Sequence, residues 1–223
     1  MYSIKEILKS QDFFQSLSDA EIEELVSIST LQNYTKSYIV YYEQQKSNEL
    51  LFLISGLARA YKIDKHENEI FLYYIYESSM ISEISDLELT SLESFSNIEL
   101  VEDSQVLSIN YKKFKELFLE KHILYKPFTN EIIKRSIQLH SLVNREFIFD
   151  AVSKVGMMLH SDLEMFNRLK RHDISLMLHI QPSTLSRVLS RLKRNNIIDI
   201  IHGEVKVLDI KALEDTYQEK IDE

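Results

Sequence analysis

The sequence predicts an α+β chain. Helices come first, a middle third of short antiparallel strands follows, and a helical remainder closes with two more strands. Three observations predict this. Residues 4–26 carry apolar side chains at helical spacings, at Ile4, Ile7, Leu8, Phe13, Phe14, Leu17, Ile22, Leu25 and Val26. From Leu31 to Ile109 the apolar runs become short, β-branched and aromatic. From Tyr111 the period of 3.6 residues returns.

The N-terminal helical spacing breaks near Ser10 and Ser18, and Ser18-Asp-Ala-Glu21 fits a capping box that opens a helix over 19–30. Candidate strands are 31–34, 38–42, 50–54, 57–63, 69–76, 98–101 and 105–109. Asn48-Glu49, Asp64–Asn68 and Glu102–Ser104 read as turns, and the polar stretch 83–96 as helix or loop. So many short strands at close intervals point to an antiparallel sandwich or barrel.

Tyr111 to Leu119 reads as one helix. Pro127 fits the first turn of a long helix that runs to about Asn144. That helix carries two apolar stripes: Phe128, Ile132, Leu139 and Val143 on one side, Ile133, Ile137 and His140 on the other. One stripe is expected to pack on its own domain and the other on a second subunit. Beyond it come helices over 150–160, 162–169, 171–178 and 182–195, strands over 197–201 and 204–208 around His202-Gly203, and a last helix from 210.

Composition removes whole classes of function. The chain has 223 residues and no cysteine, which excludes disulfides, thiolate zinc sites, iron–sulfur clusters and cysteine nucleophiles. Its 3 glycines, at 56, 156 and 203, cannot write either glycine-rich phosphate loop. No Ser/His/Asp or paired-carboxylate arrangement stands out for catalysis, so no catalytic residue and no metal site is expected. No apolar run approaches the ~18 residues of a membrane span, and the start shows no secretory signal, so a cytoplasmic protein without membrane contact is expected.

The net charge of −9 is uneven. Residues 1–150 hold 15 Lys/Arg against 24 Asp/Glu, whereas residues 165–211 hold 9 against 4. One basic segment within an acidic chain suits contact with a polyanion, or equally a solvated helix face. The segment Arg171 to Arg194 decides between these. Its first half is a short helix with Ile174, Leu176, Met177 and Leu178. His179-Ile180-Gln181 is a turn, and Pro182 sits where a first helical residue can lack its N–H. Leu185, Val188, Leu189 and Leu192 then form one stripe, while Ser183, Ser186, Arg187, Ser190 and Arg191 face away. Hydroxyls and guanidinium groups opposite a seating stripe are the chemistry for phosphates and base edges. The pattern is a helix-turn-helix with 182–194 as recognition helix, and the two strands after it make the winged variant.

With these elements in order, the whole chain resembles the Crp/Fnr family of bacterial transcription regulators. Asn48-Glu-Leu-Leu-Phe-Leu-Ile-Ser-Gly56 looks like the family's strand ending in a glycine turn. Val106 to Phe114 looks like the strand and helix that close its roll, and Ser183-Thr-Leu-Ser-Arg187 like its recognition-helix core. The resemblance implies an N-terminal antiparallel β-roll of the double-stranded β-helix kind as sensor over 1–117, a dimerisation helix and hinge over 118–149, and a winged helix-turn-helix over 150–223. It implies a homodimer on a double-stranded DNA operator with an inverted repeat, and RNA polymerase as a partner if the regulator activates. The dimer contact falls to Phe128, Ile132, Leu139 and Val143.

By the same resemblance Arg187 contacts a guanine and Ser186 a neighbouring base or phosphate. Ser183 stands where a glutamate is common, so the half-site should differ from that of members with the glutamate. Thr184, Lys170, Arg171, Arg191 and Lys193 complete the expected DNA contacts. Cyclic-AMP-binding members need a glutamate and an arginine in the roll. Ser82-Glu83-Ile84 resembles the glutamate part, but the arginine's counterpart is Ser94-Phe95-Ser96. A buried phosphate without a cation is costly, so cyclic AMP is not expected. The signal is expected to be another small molecule, a gas or a redox-related cue. Imidazole ligation leaves heme open, with His140 and His122 the first candidates. Glu83, Tyr73 and Tyr74 are the candidate effector-pocket residues, although strand and core propensity alone would explain the tyrosines. Two alternatives remain: a metal-dependent β-barrel enzyme of cupin type, and a sensory module that binds no DNA.

Overall fold

The computed structural model describes residues 3–217, apart from the side chains of Arg145 and Glu146. Contacts divide the chain into two units, Met1–Gln138 and Leu139–Glu223. Among the described residues no helix is long and apolar enough to cross a membrane.

The first unit opens with α1 (Ile4–Ser10), a 3₁₀ turn at Asp12–Phe14 and α2 (Asp19–Ser27). Ser18 and Glu21 form the expected capping box, and Ser3 with Glu6 forms a second one that the sequence reading missed. Ten strands follow: β1 (Ser29–Tyr34), β2 (Ile39–Tyr41), β3 (Lys46–Ser47), β4 (Glu49–Ser55), β5 (Leu57–Ile63), β6 (Glu69–Tyr76), β7 (Ser79–Met80), β8 (Leu92–Glu93), β9 (Asn97–Leu100) and β10 (Ser104–Asn110). They pair antiparallel in the orders β1-β10-β4-β7 and β2-β9-β5-β6, with β3-β8 as a short ribbon. The stretch 83–96 is therefore not a helix. It is the expected loop, except that Leu92–Glu93 pairs with Lys46–Ser47 as β8 with β3.

The continuous apolar run of β4 has a simple cause. Leu50 and Phe52 join the cluster under the helices, with Phe14, Leu25 and Phe114. Leu51 and Leu53 point the other way, into the interior between the sheets with Ile98 and Val106. Alternation along one strand thus serves two cores.

After β10 come α3 (Tyr111–Phe114), a π-helical turn over Lys115–Leu119 and α4 (Tyr125–Phe147). The expected single helix over 111–119 is thus α-helical only in its first turn. Pro127 lies in the first turn of α4, where no N–H is required of it. Phe128 is a correction. It is only 2% exposed, in the core beside Phe114, and so is no part of an exposed stripe. The face of α4 that docks on the sheet is otherwise polar, built from Glu131, Arg135 and Gln138. Its neighbours there are backbone groups of Met80 and Tyr74, which need polar partners. The two apolar stripes, Phe128 aside, stay exposed.

The second unit holds α5 (Ala151–Ser161), α6 (Leu163–Arg168), α7 (Arg171–Met177), α8 (Pro182–Arg194), the hairpin β11 (Ile198–Ile201) and β12 (Glu204–Val207), and α9 (Ile210–Glu214). Asp150, Asp162 and Asp209 cap α5, α6 and α9. Residues 218–223 lie outside the described ones.

Candidate nucleic-acid interface and sensor site

The connection between α7 and α8 is tight. His179 takes φ 50°, and Ile180 N–H reaches back to the Ser175 carbonyl at 3.1 Å, which closes α7. Pro182 is the first residue of α8. Leu185, Val188, Leu189 and Leu192 are buried against the second unit's core. Ser183, Ser186, Arg187, Ser190 and Arg191 are exposed along the opposite face.

Local bonds arrange that face. Ser186 Oγ donates to the Pro182 carbonyl at 3.1 Å and Ser190 Oγ to the Ser186 carbonyl at 2.9 Å. Arg187 Nη2 donates to Thr184 Oγ1 at 3.2 Å, so the half-buried Thr184 aims the guanidinium. Lys170 is exposed just before α7.

Two expected contact residues are engaged elsewhere. Lys193 Nζ lies 2.8 Å from Asp199 Oδ1 on β11. Arg171 Nη2 donates to the Gly203 carbonyl at 3.0 Å while its guanidinium lies over the Phe166 ring at 4.8 Å. Burial lowers the pKa of Arg171 from its ordinary value. Both residues therefore brace the wing. The wing turns on His202 and Gly203, both at positive φ, the conformation a two-residue hairpin loop requires. Asn167 completes the brace through paired bonds with Val205, at 2.8 and 2.9 Å. The sequence reading missed Asn167, because nothing near it in the chain marks a partner 38 residues away.

In the first unit the structure brings Glu83 and Tyr73 together but leaves Tyr74 apart. Tyr73 Oη donates to Glu83 Oε1 at 2.6 Å. Strand alternation turns Tyr74 away from Tyr73, and a register shift at Leu72 brings Phe71 onto the face of Tyr74, with ring centroids 4.8 Å apart. Glu83 also meets the segment Ser94–Ser96, and Phe95 N–H donates to it at 2.6 Å. Arg59 is bound to Glu69 and Glu99 on the sheet. His122 and His140, the heme candidates, are both exposed. Among the described residues no group of three or more potential metal ligands is found.

A roll of two antiparallel sheets, a long helix with exposed apolar residues and a winged helix-turn-helix with a Ser/Arg face together define a class: the DNA-binding transcription regulators with an N-terminal sensor. Residues 31–121 match the cyclic nucleotide-binding domain family, and residues 157–216 match the Crp-like helix-turn-helix domain family. The chain belongs to the Crp/Fnr family of transcription regulators. It is 20% identical over 202 residues to the cAMP-activated global transcriptional regulator CRP of Salmonella typhimurium, covering 86% of this chain and 95% of the relative. Its fold is similar to that of a CooA mutant from Carboxydothermus hydrogenoformans, with a TM-score of 0.68, 18% identity, and 97% of this chain and 96% of that one covered. It is also similar to that of the c-di-GMP responsive global regulator CLP of Xanthomonas campestris, with a TM-score of 0.66, 17% identity, and 85% and 99% covered.

Proposed function

We propose that the protein regulates transcription as a homodimer on an inverted-repeat operator, with Arg187 reading a guanine-containing pair in each half-site. One observation carries this. The face of α8 opposite its buried stripe is lined by Ser183, Ser186, Arg187, Ser190 and Arg191, all exposed. A guanidinium in the first half of a groove-bound helix can bond guanine O6 and N7 together. Ser186 approaches a neighbouring base or phosphate, and Ser183 reads less strictly than a glutamate would. Lys170, Thr184 and Arg191 contact phosphates. Lys193 and Arg171 act mainly by holding the wing.

The dimer forms through α4, where Ile132, Ile133, Ile137, Leu139 and Val143 are 36–59% exposed. Exposed apolar residues at helical spacing along one helix support pairing with a second copy. The signal received by residues 1–117 is neither cyclic AMP nor an iron–sulfur cluster. The site of action is the cytoplasm, and RNA polymerase is a partner where the regulator activates. A randomised-site selection with purified protein tests the whole reading. An inverted repeat with half-site centres about 34 Å apart, one turn of DNA, is the expected product. Enrichment of no sequence would overturn it.

A further inference from the structure

Glu83 is a carboxyl group that DNA binding does not use. It is 9% exposed. Besides Tyr73 Oη and Phe95 N–H, both at 2.6 Å, it has Ser94 Oγ at 3.3 Å and Ser96 Oγ at 3.4 Å. Ser94 has one proton, and the Ser96 carbonyl takes it at the shorter distance of 2.7 Å. Tyr73 and Phe95 are therefore the firm donors. Burial holds the Tyr73 hydroxyl well above the ordinary tyrosine range, so it keeps its proton and goes on donating.

The other side of Tyr73 belongs to α4. The Arg135 guanidinium lies 4.4 Å from the Tyr73 ring centroid. Arg135 Nη2 donates to the Met80 carbonyl at 2.9 Å, and Met80 N–H donates to Glu131 Oε2 at 3.2 Å. Gln138 Nε2 donates to the Tyr74 carbonyl at 3.1 Å and Gln138 Oε1 accepts from Arg135 Nη1 at 3.1 Å. Glu131, Arg135 and Gln138 stand at helical spacing, so one face of α4 grips one ring and two stretches of backbone.

We propose that the contacts running from Glu83 through Tyr73 to Arg135 take the role of an effector. They dock the first half of α4 on the roll with no small molecule present, and this docked ground state is the DNA-binding one. A signal acting through this unit then acts by breaking the Tyr73–Arg135 contact. The proposal rests on the DNA-binding reading above.

Two physical arguments support it. A ligand that approaches Glu83 must first displace short hydrogen bonds and leave buried donors unpaired. The groups that bond to Glu83 are uncharged, and Arg135, on the other side of Tyr73, is bonded to Met80 and Gln138, so an entering anion would sit beside a carboxyl with no cation committed to it. On the other side, Arg135 Nη2 and Gln138 Nε2 each donate to a main-chain carbonyl, and a displaced α4 would lose both bonds.

Hydrogen exchange on the full chain, with no added ligand, tests the docking. Amides 129–138 of the wild type are expected to be protected, and millimolar cyclic AMP is expected to leave them unchanged. Arg135→Met keeps the aliphatic bulk and removes the charge and donors. It is expected to exchange about ten-fold faster over 129–138 and to bind the selected operator about ten-fold more weakly, with the sheets still protected. Tyr73→Phe keeps the ring under Arg135 but strands Glu83, and a smaller change in the same direction is expected. Should Arg135→Met lose the fold, Gln138→Ala gives the same reading at lower amplitude. The proposal is overturned if 129–138 exchange freely until a ligand is added, or if the variants exchange like the wild type. It is also overturned if they bind the operator equally or better. If the wild type selects no DNA sequence, the DNA-binding reading fails, while the exchange data still judge the docking by themselves.

Discussion

The Lys193 ammonium lies 2.8 Å from Asp199 Oδ1 and so ties the last turn of α8 to the first strand of the wing. Lys193 Nζ also reaches the Ile200 carbonyl at 3.4 Å. The hydrogen bond from Lys193 holds the Asp199 carboxyl below its ordinary range. A lowered folded pKa gives stability that is present above the unfolded value, about 3.9, and lost as pH falls through the folded one. The wild type should therefore melt above Asp199→Asn at neutral pH. The gap should begin to close below about pH 4, as pH falls toward the lowered folded value, and narrow in concentrated salt, because the pair is exposed. Melting curves with a gap independent of both pH and salt would contradict the ion pair.

Arg187 and Arg191 are both exposed on α8, and replacing either removes one positive charge. Arg187→Ala should cost roughly 1–3 kcal/mol per half-site and relax preference at one position. Arg191→Ala should weaken all sequences alike and reduce the salt slope by about one phosphate contact per helix. Lys193→Ala should change the slope less, since Asp199 already neutralises that charge. Identical selected sequences for Arg187→Ala and wild type would show that Arg187 does not read bases.

Substitutions at Ile132 and Phe128 should separate dimerisation from folding. Ile132→Asp together with Leu139→Asp should give monomers in analytical ultracentrifugation and abolish specific DNA binding. Phe128→Ala should instead cost the first unit about 3–5 kcal/mol, as expected for a buried aromatic, with dimer mass retained below its melting temperature. A stable monomer from Phe128→Ala would reverse these assignments.

Gly56 takes φ +104° in the turn between β4 and β5, and a Cβ there would run into the Ser104 side chain. Gly56→Ala should lower stability by about 1–3 kcal/mol through backbone strain, with overlap against Ser104 adding to the loss. Urea denaturation measures it, and an unchanged midpoint would mean that the turn relaxes freely.

Calorimetry with cyclic AMP should show no micromolar binding. Arg59 is held by Glu69 and Glu99, and the segment facing Glu83 carries serines rather than an arginine. Tight binding would require Arg135 to leave Met80 and turn inward.

The exposed and buried faces of α8 were legible because helical periodicity is local: residues three and four apart share a face wherever the helix packs. The neighbours of Glu83 were legible only in part. The resemblance paired Glu83 with residues 94–96, but the sequence carries no sign that Phe95 contributes its backbone N–H. The docking face of α4 was misread. Apolar residues were expected to bury one stripe on the roll, and the structure buries Phe128 but otherwise seats Glu131, Arg135 and Gln138 there.

By itself, then, the sequence determined the order of the longer elements, the Ser18–Glu21 helix cap, the wing turn and the chemistry that α8 offers, since each depends on residues within a turn or two of chain. Tertiary structure alone decided that Lys193 and Arg171 brace the wing, that Tyr73 joins Glu83 while Tyr74 does not, and that a polar face of α4 docks. Each of those outcomes depends on which polar groups other elements bring within reach: the Gly203, Met80 and Tyr74 carbonyls, and the Asp199 and Glu83 carboxylates. No local pattern records that requirement, and burial enforces it.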